Sequence, residues 1–301
     1  MNFYEQIKNE LIENEINRKV KNYLANRSDL STYYNVGRLL SEAGKHYGEG
    51  IIKEYSKKLT NELGKGYSER NLRNIRQLYK ISLSLKWQTL SAKLSYSHYC
   101  ELLWLSMDEI KYYISICEKQ NLSVRQLREK IKNKEYERLP NDSKNKLLLN
   151  NKGSATDFVK NPIFIKNNSN YEIISEKVLQ KLILEDIPSF LDELGIGFTF
   201  VRNEYKVKIG DRYNYIDLLL YNIRFKCYAV IELKVTELKK EHIGQIQVYM
   251  NYIDKNLKTI DEDRTIGIII CKKDNKFVLE YSSDERIISK EYKVLNSVLI
   301  D

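Results

Sequence analysis

The chain has 301 residues, of which 42% are hydrophobic, enough to form a sizeable core in one large or two ordinary domains. It has no apolar run long enough to span a membrane and no apolar leader at its start, which favours a cytoplasmic protein without a membrane partner. Its four cysteines lie far apart with no CxxC pair, which disfavours a zinc site or a disulfide framework.

The net charge of +9 lies in the first half of the chain. Residues 1–150 contain 27 Lys and Arg against 18 Asp and Glu, whereas residues 151–301 contain 23 of each. A local basic excess suits a partner with a phosphate backbone. The alternative is that a chain rich in Lys, Asn, Ile and Tyr merely reflects a composition bias.

Residues 1–138 are predicted to form a helical, basic domain, because apolar residues recur at helical spacing and no proline precedes Pro140. An N-terminal helix is predicted from Phe3 to Leu24. The further predicted helices cover residues 31–45, 48–64, 68–85, 97–118 and 123–134.

Residues 59–80 predict a helix-turn-helix module. Gly64 and Gly66 suit the left-handed conformation that ends one helix, and Ser68 can cap the next. A second serine-capped basic stretch follows at 121–132. The predicted nucleic-acid contacts on these two segments are Arg70, Asn71, Arg73, Arg76, Arg125 and Arg128. The alternative is an ordinary helical hairpin with a solvated basic face.

Residues 139–170, which contain eight asparagines and little periodicity, are predicted to be a connector. The apolar patch at 158–165 favours docking of this connector on a neighbouring domain. From Tyr171 onward the pattern changes to a helix, three strands, a second helix and further strands, which predicts a sheet covered on both faces. The predicted elements are helices at 172–194 and 238–254 and strands at 198–209, 213–221, 227–235, 265–271 and 277–281.

Three charged residues interrupt two apolar strands of this second half. Glu232 and Lys234 are two residues apart on one strand and therefore share a face, and Asp217 lies opposite or diagonal to Glu232 if the intervening loop has an even number of residues. Two carboxylates at that distance repel unless a cation lies between them. Carboxylate oxygens with open positions suit Mg²⁺, and a neighbouring ammonium can orient or help deprotonate an attacking water and stabilise negative charge.

The helix after these strands adds polar side chains. Gln245 and Tyr249 lie on one side of it, where Gln245 can hold a water or a phosphate oxygen, and Gly244 would allow a close approach to the sheet. Upstream, Glu193 is a weaker candidate for a further metal ligand. The alternative explanation of Asp217, Glu232 and Lys234 is a buried ion-pair cluster.

The stretch YIDLLLYNIRFKCYAVIELKVTELKKEHIGQIQVYMNYID at 215–254 resembles the YhcG-like branch of the PD-(D/E)xK nucleases. The resemblance extends to DELGIGFTFVRNEYKV at 192–207 and TIGIIICKKDNKFVLEY at 265–281. In the N-terminal half it includes YYNVGRLL at 33–40, LGKGYSERNLRNIRQLY at 63–79 and SVRQLREKI at 123–131. It therefore covers most of the chain outside the asparagine-rich connector.

This resemblance implies a two-domain α+β protein with an all-α N-terminal domain that engages DNA and a restriction-endonuclease-like C-terminal core, residues 171–301, with a mixed sheet flanked by helices. It implies Mg²⁺-dependent cleavage of nucleic acid, with Mn²⁺ as a substitute. Asp217 and Glu232 would be metal ligands and Lys234 the catalytic lysine, while Gln245 and Tyr249 match the helix motif of recombination-type members.

The chain departs from the family pattern at two places. The proline of the family name is Ile216, a position whose backbone role does not touch the metal, and the acid from the first helix is ambiguous between Glu176 and Glu193. The leading hypothesis is an endonuclease acting on double-stranded DNA, as a homodimer if both strands are cut together, in defence against mobile elements or in DNA maintenance. The alternatives are a non-catalytic DNA-binding or assembly protein with a nuclease-like scaffold, and a nuclease acting on RNA or single strands.

Overall fold

The structure is a computed structural model that describes residues 2–20, 25–85, 94–141, 143–144, 153–280 and 284–296. The chain divides into two compact units, Met1–Tyr136 and Glu137–Asp301. The first is helical and the second contains a mixed sheet with helices, so the predicted α+β fold class is confirmed. No helix in the described ranges combines the length and the apolar character that a membrane crossing requires.

The helical unit follows the predicted order of elements with one break. Its helices are α1 (Phe3–Val20), α2 (Ala25–Tyr47), α3 (Ile51–Leu63), α4 (Glu69–Leu85), α5 (Tyr96–Leu102), α6 (Met107–Gln120) and α7 (Val124–Lys132). The single helix predicted over 97–118 is wrong, because Ser106 and Glu109 form a reciprocal capping box that starts α6 as a new helix. Leu24, the predicted end of the first helix, lies outside the described residues.

The turn between α3 and α4 has the predicted chemistry. Gly64 and Gly66 have φ values of +92° and +130°, which only glycine adopts without strain. The Ser68 hydroxyl accepts a hydrogen bond from the backbone N–H of Asn71 at 3.3 Å and so caps α4. The sequence therefore specifies a sharp stop, a turn and a new helix whose apolar side, Leu72 and Ile75, is fully buried.

Helices α2 and α4 approach each other closely at Gly37. A Cβ on Gly37 would lie 2.6 Å from the Ile75 carbonyl oxygen and 2.7 Å from the Tyr79 Cβ, whereas one on Gly44 of the same helix would meet chiefly the flexible Arg76 side chain, at 3.2 Å. We expect Gly37→Ala to lower the free energy of unfolding by about 1–3 kcal/mol, because the backbone must shift. Gly44→Ala is the matched control and should be neutral or stabilising by up to about 1 kcal/mol, because alanine favours a helix. Thermal unfolding of both variants tests this, and equal effects would contradict it.

The second unit contains a six-stranded sheet. Its elements are a 3₁₀ turn (Ala155–Phe158), β1 (Ile163–Asn167), α8 (Glu176–Glu185), α9 (Ile187–Leu194), β2 (Phe198–Ile209), β3 (Arg212–Asn222), β4 (Cys227–Glu237), α10 (Lys240–Asn256), β5 (Asp263–Lys273), α11 (Lys276–Glu280) and β6 (Ile287–Asn296). The strand order is β1-β6-β5-β4-β3-β2, with antiparallel pairs in the β2-β3-β4 meander and parallel pairs elsewhere. Strand β4, which contains Glu232 and Lys234, is therefore a central strand.

Three elements differ from the prediction. The helix predicted over 172–194 is divided at Asp186, whose side chain caps α9 just before Pro188. The strand predicted at 277–281 is wrong, because residues 276–280 form the short helix α11. Residues 163–167, inside the predicted connector, form the edge strand β1, which pairs with the unpredicted β6. Pairing between strands so far apart in the chain cannot be predicted from a pattern within either short strand.

Each face of the sheet has its own apolar core. Helices α8 and α9 cover the face that carries Leu218, Ile231 and Ile268. Helix α10 covers the other face through Ile246, Tyr249, Met250 and Ile253. The close approach predicted at Gly244 lies elsewhere: a Cβ there would meet nothing within 4 Å, whereas one on Gly267 of β5 would lie 2.6 Å from the Met250 sulfur.

Candidate active site

The β3–β4 hairpin brings Asp217 and Glu232 together. Its loop, residues 223–226, has four residues, and Leu218 pairs with Ile231 in the antiparallel register. One further step of that register places Asp217 opposite Glu232, although regular pairing ends at Leu218. There the Asp217 Oδ2 accepts a hydrogen bond from the backbone N–H of Leu233 at 2.8 Å. The Asp217 carboxylate thus accepts a backbone hydrogen bond that a main-chain carbonyl of a paired strand would otherwise accept.

Glu232 and Lys234 share a face of β4, as the two-residue period of a strand requires. The Lys234 Nζ donates a hydrogen bond to the Glu232 Oε2 at 3.3 Å. The Glu232 Oε1 is buried and has no hydrogen-bond partner among the described residues. A buried acceptor without a partner is costly. This oxygen is therefore the clearest sign that the group of Asp217, Glu232 and Lys234, here called the pocket, is arranged to bind something other than the protein itself.

The electrostatic environment of the pocket disfavours the ionised form of both carboxylates, Asp217 and Glu232. Burial, and then the charge of Asp217, raises the pKa of Glu232 to about 8, despite the opposing effect of Lys234. Burial also raises the pKa of Asp217. Burial would lower the pKa of Lys234, but the acids Glu232, Glu176 and Asp217 together hold it above its ordinary value. The pocket therefore favours a permanent ammonium and attracts additional positive charge.

Helix α8 supplies two side chains to this site. The charge of Glu176 contributes to the raised pKa values of both Asp217 and Lys234, which places its carboxylate in their surroundings. One turn later, the Gln180 Nε2 donates a hydrogen bond to the main-chain carbonyl of Asp217 at 3.0 Å. Sequence reasoning missed Gln180, for which the only available signal was its i, i+4 spacing from Glu176.

Glu193 lies in a different cluster, which corrects its assignment as a metal ligand. Its carboxylate accepts hydrogen bonds from the Arg138 guanidinium and, at 3.0 Å, from the Phe164 backbone N–H. The Lys160 ammonium lies 3.7 Å away, and the Arg138 guanidinium stacks on the Phe164 ring at 3.9 Å. Glu193 is thus neutralised as part of a structural ion-pair network, and Glu176 is the first-helix acid that lies near Asp217.

Helix α10 directs Gln245 and Tyr249 to the same side. The Gln245 Nε2 donates to the Tyr249 hydroxyl at 3.3 Å. Burial raises the pKa of Tyr249, with contributions from the charges of Glu232 and Asp217. His242, one turn earlier, was not predicted; burial and then Lys234 lower its pKa, and its Nδ1 accepts a hydrogen bond from the Lys239 N–H at 3.1 Å. Its hydrogen bond caps α10.

The six predicted nucleic-acid contacts of the helical unit differ in their availability. The Asn71 side chain is already hydrogen-bonded within the protein. Its amide donates to the Gly66 carbonyl and its oxygen accepts from the Tyr96 hydroxyl, both at 2.8 Å. Four arginines form ion pairs and one, Arg70, is exposed with none among the described residues. The pairs are Arg73–Glu69, Arg76–Glu49, Arg125–Glu129 and Arg128–Glu101. Arg73, Arg125 and Arg128 are exposed, and exposed pairs contribute about 0–1 kcal/mol, so a phosphate can replace their carboxylates, whereas the Arg76 side chain is largely buried.

The donor set of the pocket fits a hard divalent cation. Asp217 and Glu232 provide adjacent carboxylates, one of them with an orphaned buried oxygen. No cluster of three or more Asp, Glu, His or Cys side chains forms a ready-made metal cage within the described residues. Mg²⁺ does not need such a cage, because it typically binds through one or two carboxylates and keeps several waters.

A central antiparallel hairpin with an Asp opposite a Glu-x-Lys strand is the arrangement of the PD-(D/E)xK nuclease class, and the following Gln-x-x-x-Tyr helix matches the motif of its recombination-type members. Residues 156–297 match the family model described as the YhcG PDDEXK nuclease domain, and residues 7–138 match the DUF1016 N-terminal domain. The two parts of the chain thus match the two domains of the YhcG-like PD-(D/E)xK nucleases, which confirms the resemblance found in the sequence. Nucleases of this class generally use divalent metal ions.

A curated relative from Escherichia coli (strain K12), named Putative nuclease YhcG, is 26% identical over 313 residues, covering 88% of this chain and 83% of the relative. Two solved structures are also similar. A repair endonuclease from Pyrococcus abyssi is 19% identical over 42% of this chain and 49% of its own, with a TM-score of 0.29. A complex of EndoMS with double-stranded DNA is 20% identical over 42% and 48%, also with a TM-score of 0.29. The aligned part spans about half the length of these solved structures.

Proposed function

We propose that this protein is a Mg²⁺-dependent endonuclease that hydrolyses phosphodiester bonds of double-stranded DNA. The observation that carries the proposal is the convergence of Asp217, Glu232 and Lys234 on one pocket, with an unsatisfied carboxylate oxygen in it. A structural ion-pair cluster would be expected to satisfy its buried acceptors.

In this proposal Asp217 and Glu232 hold the cation. Bound there, a divalent ion would act as a Lewis acid on a phosphate oxygen and lower the pKa of a coordinated water. The raised pKa of Lys234 keeps this side chain charged, so its role is to stabilise the negative charge that develops on the phosphate rather than to remove a proton. Gln245 and Tyr249 supply an amide and a hydroxyl that can orient water or a phosphate oxygen.

The helical unit is proposed to bind the DNA. Support comes from the basic excess of residues 1–150 and from the exposed cation Arg70 and the weak surface pairs of Arg73, Arg125 and Arg128. A homodimer would place two sites on a duplex. The family resemblance implies a role in defence against mobile elements or in DNA maintenance.

A cleavage panel tests the proposal. Purified protein is incubated with supercoiled and linear duplex DNA, single-stranded DNA and RNA, in Mg²⁺, Mn²⁺ or EDTA. We expect cutting of duplex DNA with Mg²⁺ or Mn²⁺ and none in EDTA. Binding without cleavage under every divalent ion would support the non-catalytic scaffold instead, and cutting of RNA alone would reassign the substrate.

A further inference from the structure

The β2–β3 hairpin extends beyond the rest of the sheet as a two-stranded arm. Pairing between β3 and β4 ends at Leu218, but β2 and β3 stay paired up to Ile209 and Arg212. In this register Lys206 is opposite Tyr215 and Lys208 is opposite Tyr213. Opposed residues of antiparallel strands share a face, so these four side chains form one surface, which we call the arm face.

The two faces of the arm have opposite character. Val207 and Ile216 are fully buried and belong to the apolar core under α10. On the arm face Tyr213 is 56% exposed and Tyr215 is 53% exposed. Lys206 and Lys208 are exposed as well. Packing in the core thus explains the apolar residues on one face of the arm, whereas the arm face exposes two tyrosine rings to solvent.

The cations of the arm face are available to an anionic ligand. Neither Lys206 nor Lys208 forms an ion pair with any residue that the structure describes. The Lys206 Nζ lies 3.8 Å from the centroid of the Tyr213 ring, a cation–π contact that holds both groups at the surface. The acids of the arm, Glu204 and Asp211, lie at its two ends rather than between these groups.

The arm continues the strand that carries Asp217. Tyr215 and Tyr213 lie two and four residues before Asp217 on β3, about 7 and about 14 Å along the strand. Exposed aromatic rings interleaved with lysines are the components of surfaces that bind unpaired strands, where rings stack on bases and cations contact phosphates. In a duplex the bases are stacked on one another and do not offer their faces to tyrosine.

We propose that the arm face binds an unpaired strand of DNA adjoining the bond to be cut, so that the preferred substrates are DNA molecules with a single-stranded segment next to a duplex. Tyr213 and Tyr215 stack on bases, and Lys206 and Lys208 contact the phosphates between them. This inference rests on the proposed function and narrows its substrate class.

Binding in EDTA separates this inference from catalysis. Fluorescence anisotropy of the full chain is measured with a blunt duplex and with the same duplex carrying a single-stranded tail. We expect the wild-type protein to prefer the tailed DNA, and Tyr213→Ala and Tyr215→Ala each to weaken tailed binding about five-fold or more. Phenylalanine at either position should retain binding, because it keeps the ring. Lys208→Ala should reduce the salt slope for the tail by about 0.7.

Ile260→Ala and Lys255→Ala are matched controls, because both residues are exposed in the same unit and outside the arm. Unchanged tailed binding by the tyrosine variants, or no preference for tailed DNA in the wild-type protein, would overturn the inference. Equal losses on blunt and tailed DNA would also overturn it, since the arm would then contact duplex backbone. Absence of cleavage in Mg²⁺ would instead reject the proposed function and leave these binding results interpretable.

Discussion

Replacing Lys234 by alanine is expected to reduce the single-turnover rate of DNA cleavage in Mg²⁺ by about 10²–10³-fold or more, the usual cost of removing a group that stabilises charge in a transition state. The Lys234 ammonium lies beside Glu232 in a buried pocket, where the nearby acids hold its pKa above the ordinary value. It is therefore charged at neutral pH. Asp217→Asn should cause a comparable loss, because it removes a proposed metal ligand.

The loss should be catalytic rather than structural. DNA binding by Lys234→Ala in EDTA should remain within a few-fold of the wild-type value, since the proposed binding surfaces lie elsewhere. Lys255→Ala removes the same charge from the exposed side of α10 and should cut DNA at the wild-type rate. If Lys234→Ala and Asp217→Asn both cleave as well as the parent, the pocket is not the active site.

Glu232→Gln is expected to abolish cleavage and yet to stabilise the metal-free protein. At neutral pH the folded state must hold either a buried charge or a proton at this position, because burial and Asp217 raise the pKa of Glu232 to about 8. One pKa unit corresponds to about 1.4 kcal/mol. Glutamine has no charge to bury, so we expect a gain of about 1–3 kcal/mol in the free energy of unfolding, reduced by any unmatched amide hydrogen.

The pH dependence of this gain has a defined sign. The pKa of Glu232 is higher in the folded state than in the unfolded chain, so folding is favoured by the protonated form. The contribution of wild-type Glu232 is complete below its ordinary pKa of 4.5 and is lost as the pH rises toward about 8. The stability difference between Glu232→Gln and wild type should therefore be small near pH 4.5 and largest above pH 8.

Calorimetric unfolding measures the stability of the metal-free protein in EDTA and the stabilisation by a bound cation in millimolar Mg²⁺. A cation that binds only the folded state raises the unfolding temperature of the wild-type protein, and Glu232→Gln should lose most of that rise. Glu237→Gln makes the same change at a more exposed position of β4 and should alter neither value. A Glu232→Gln protein that is less stable than wild type in EDTA at neutral pH would contradict the prediction.

Local periodicity accounts for what the sequence predicted well. Alternation along β3 and β4 placed Glu232 and Lys234 on one face, and an even loop of four residues brought Asp217 opposite Glu232. Helical spacing placed Gln245 beside Tyr249. These relations depend on residues close in the chain, whose geometry follows from the strand and helix periods.

Long-range contacts account for the features that the sequence did not predict. Glu176 and Glu193 are both acids near helix ends, and only the fold places one near Asp217 and the other against Arg138. Likewise the close contact of α10 with the sheet falls at Gly267 rather than at Gly244. Strands β1 and β6 pair across more than a hundred residues, a relation that no local pattern encodes.

By itself the sequence determined the two-part architecture, the family and the acidic and basic groups of the pocket, because composition and short-range spacing carry that information. The tertiary structure alone decided which α8 groups reach the site, which arginines are paired, and that Tyr213 and Tyr215 face solvent. Exposure and pairing depend on what a distant part of the chain covers, and in a strand of alternating residues either face can be the buried one until the fold is complete.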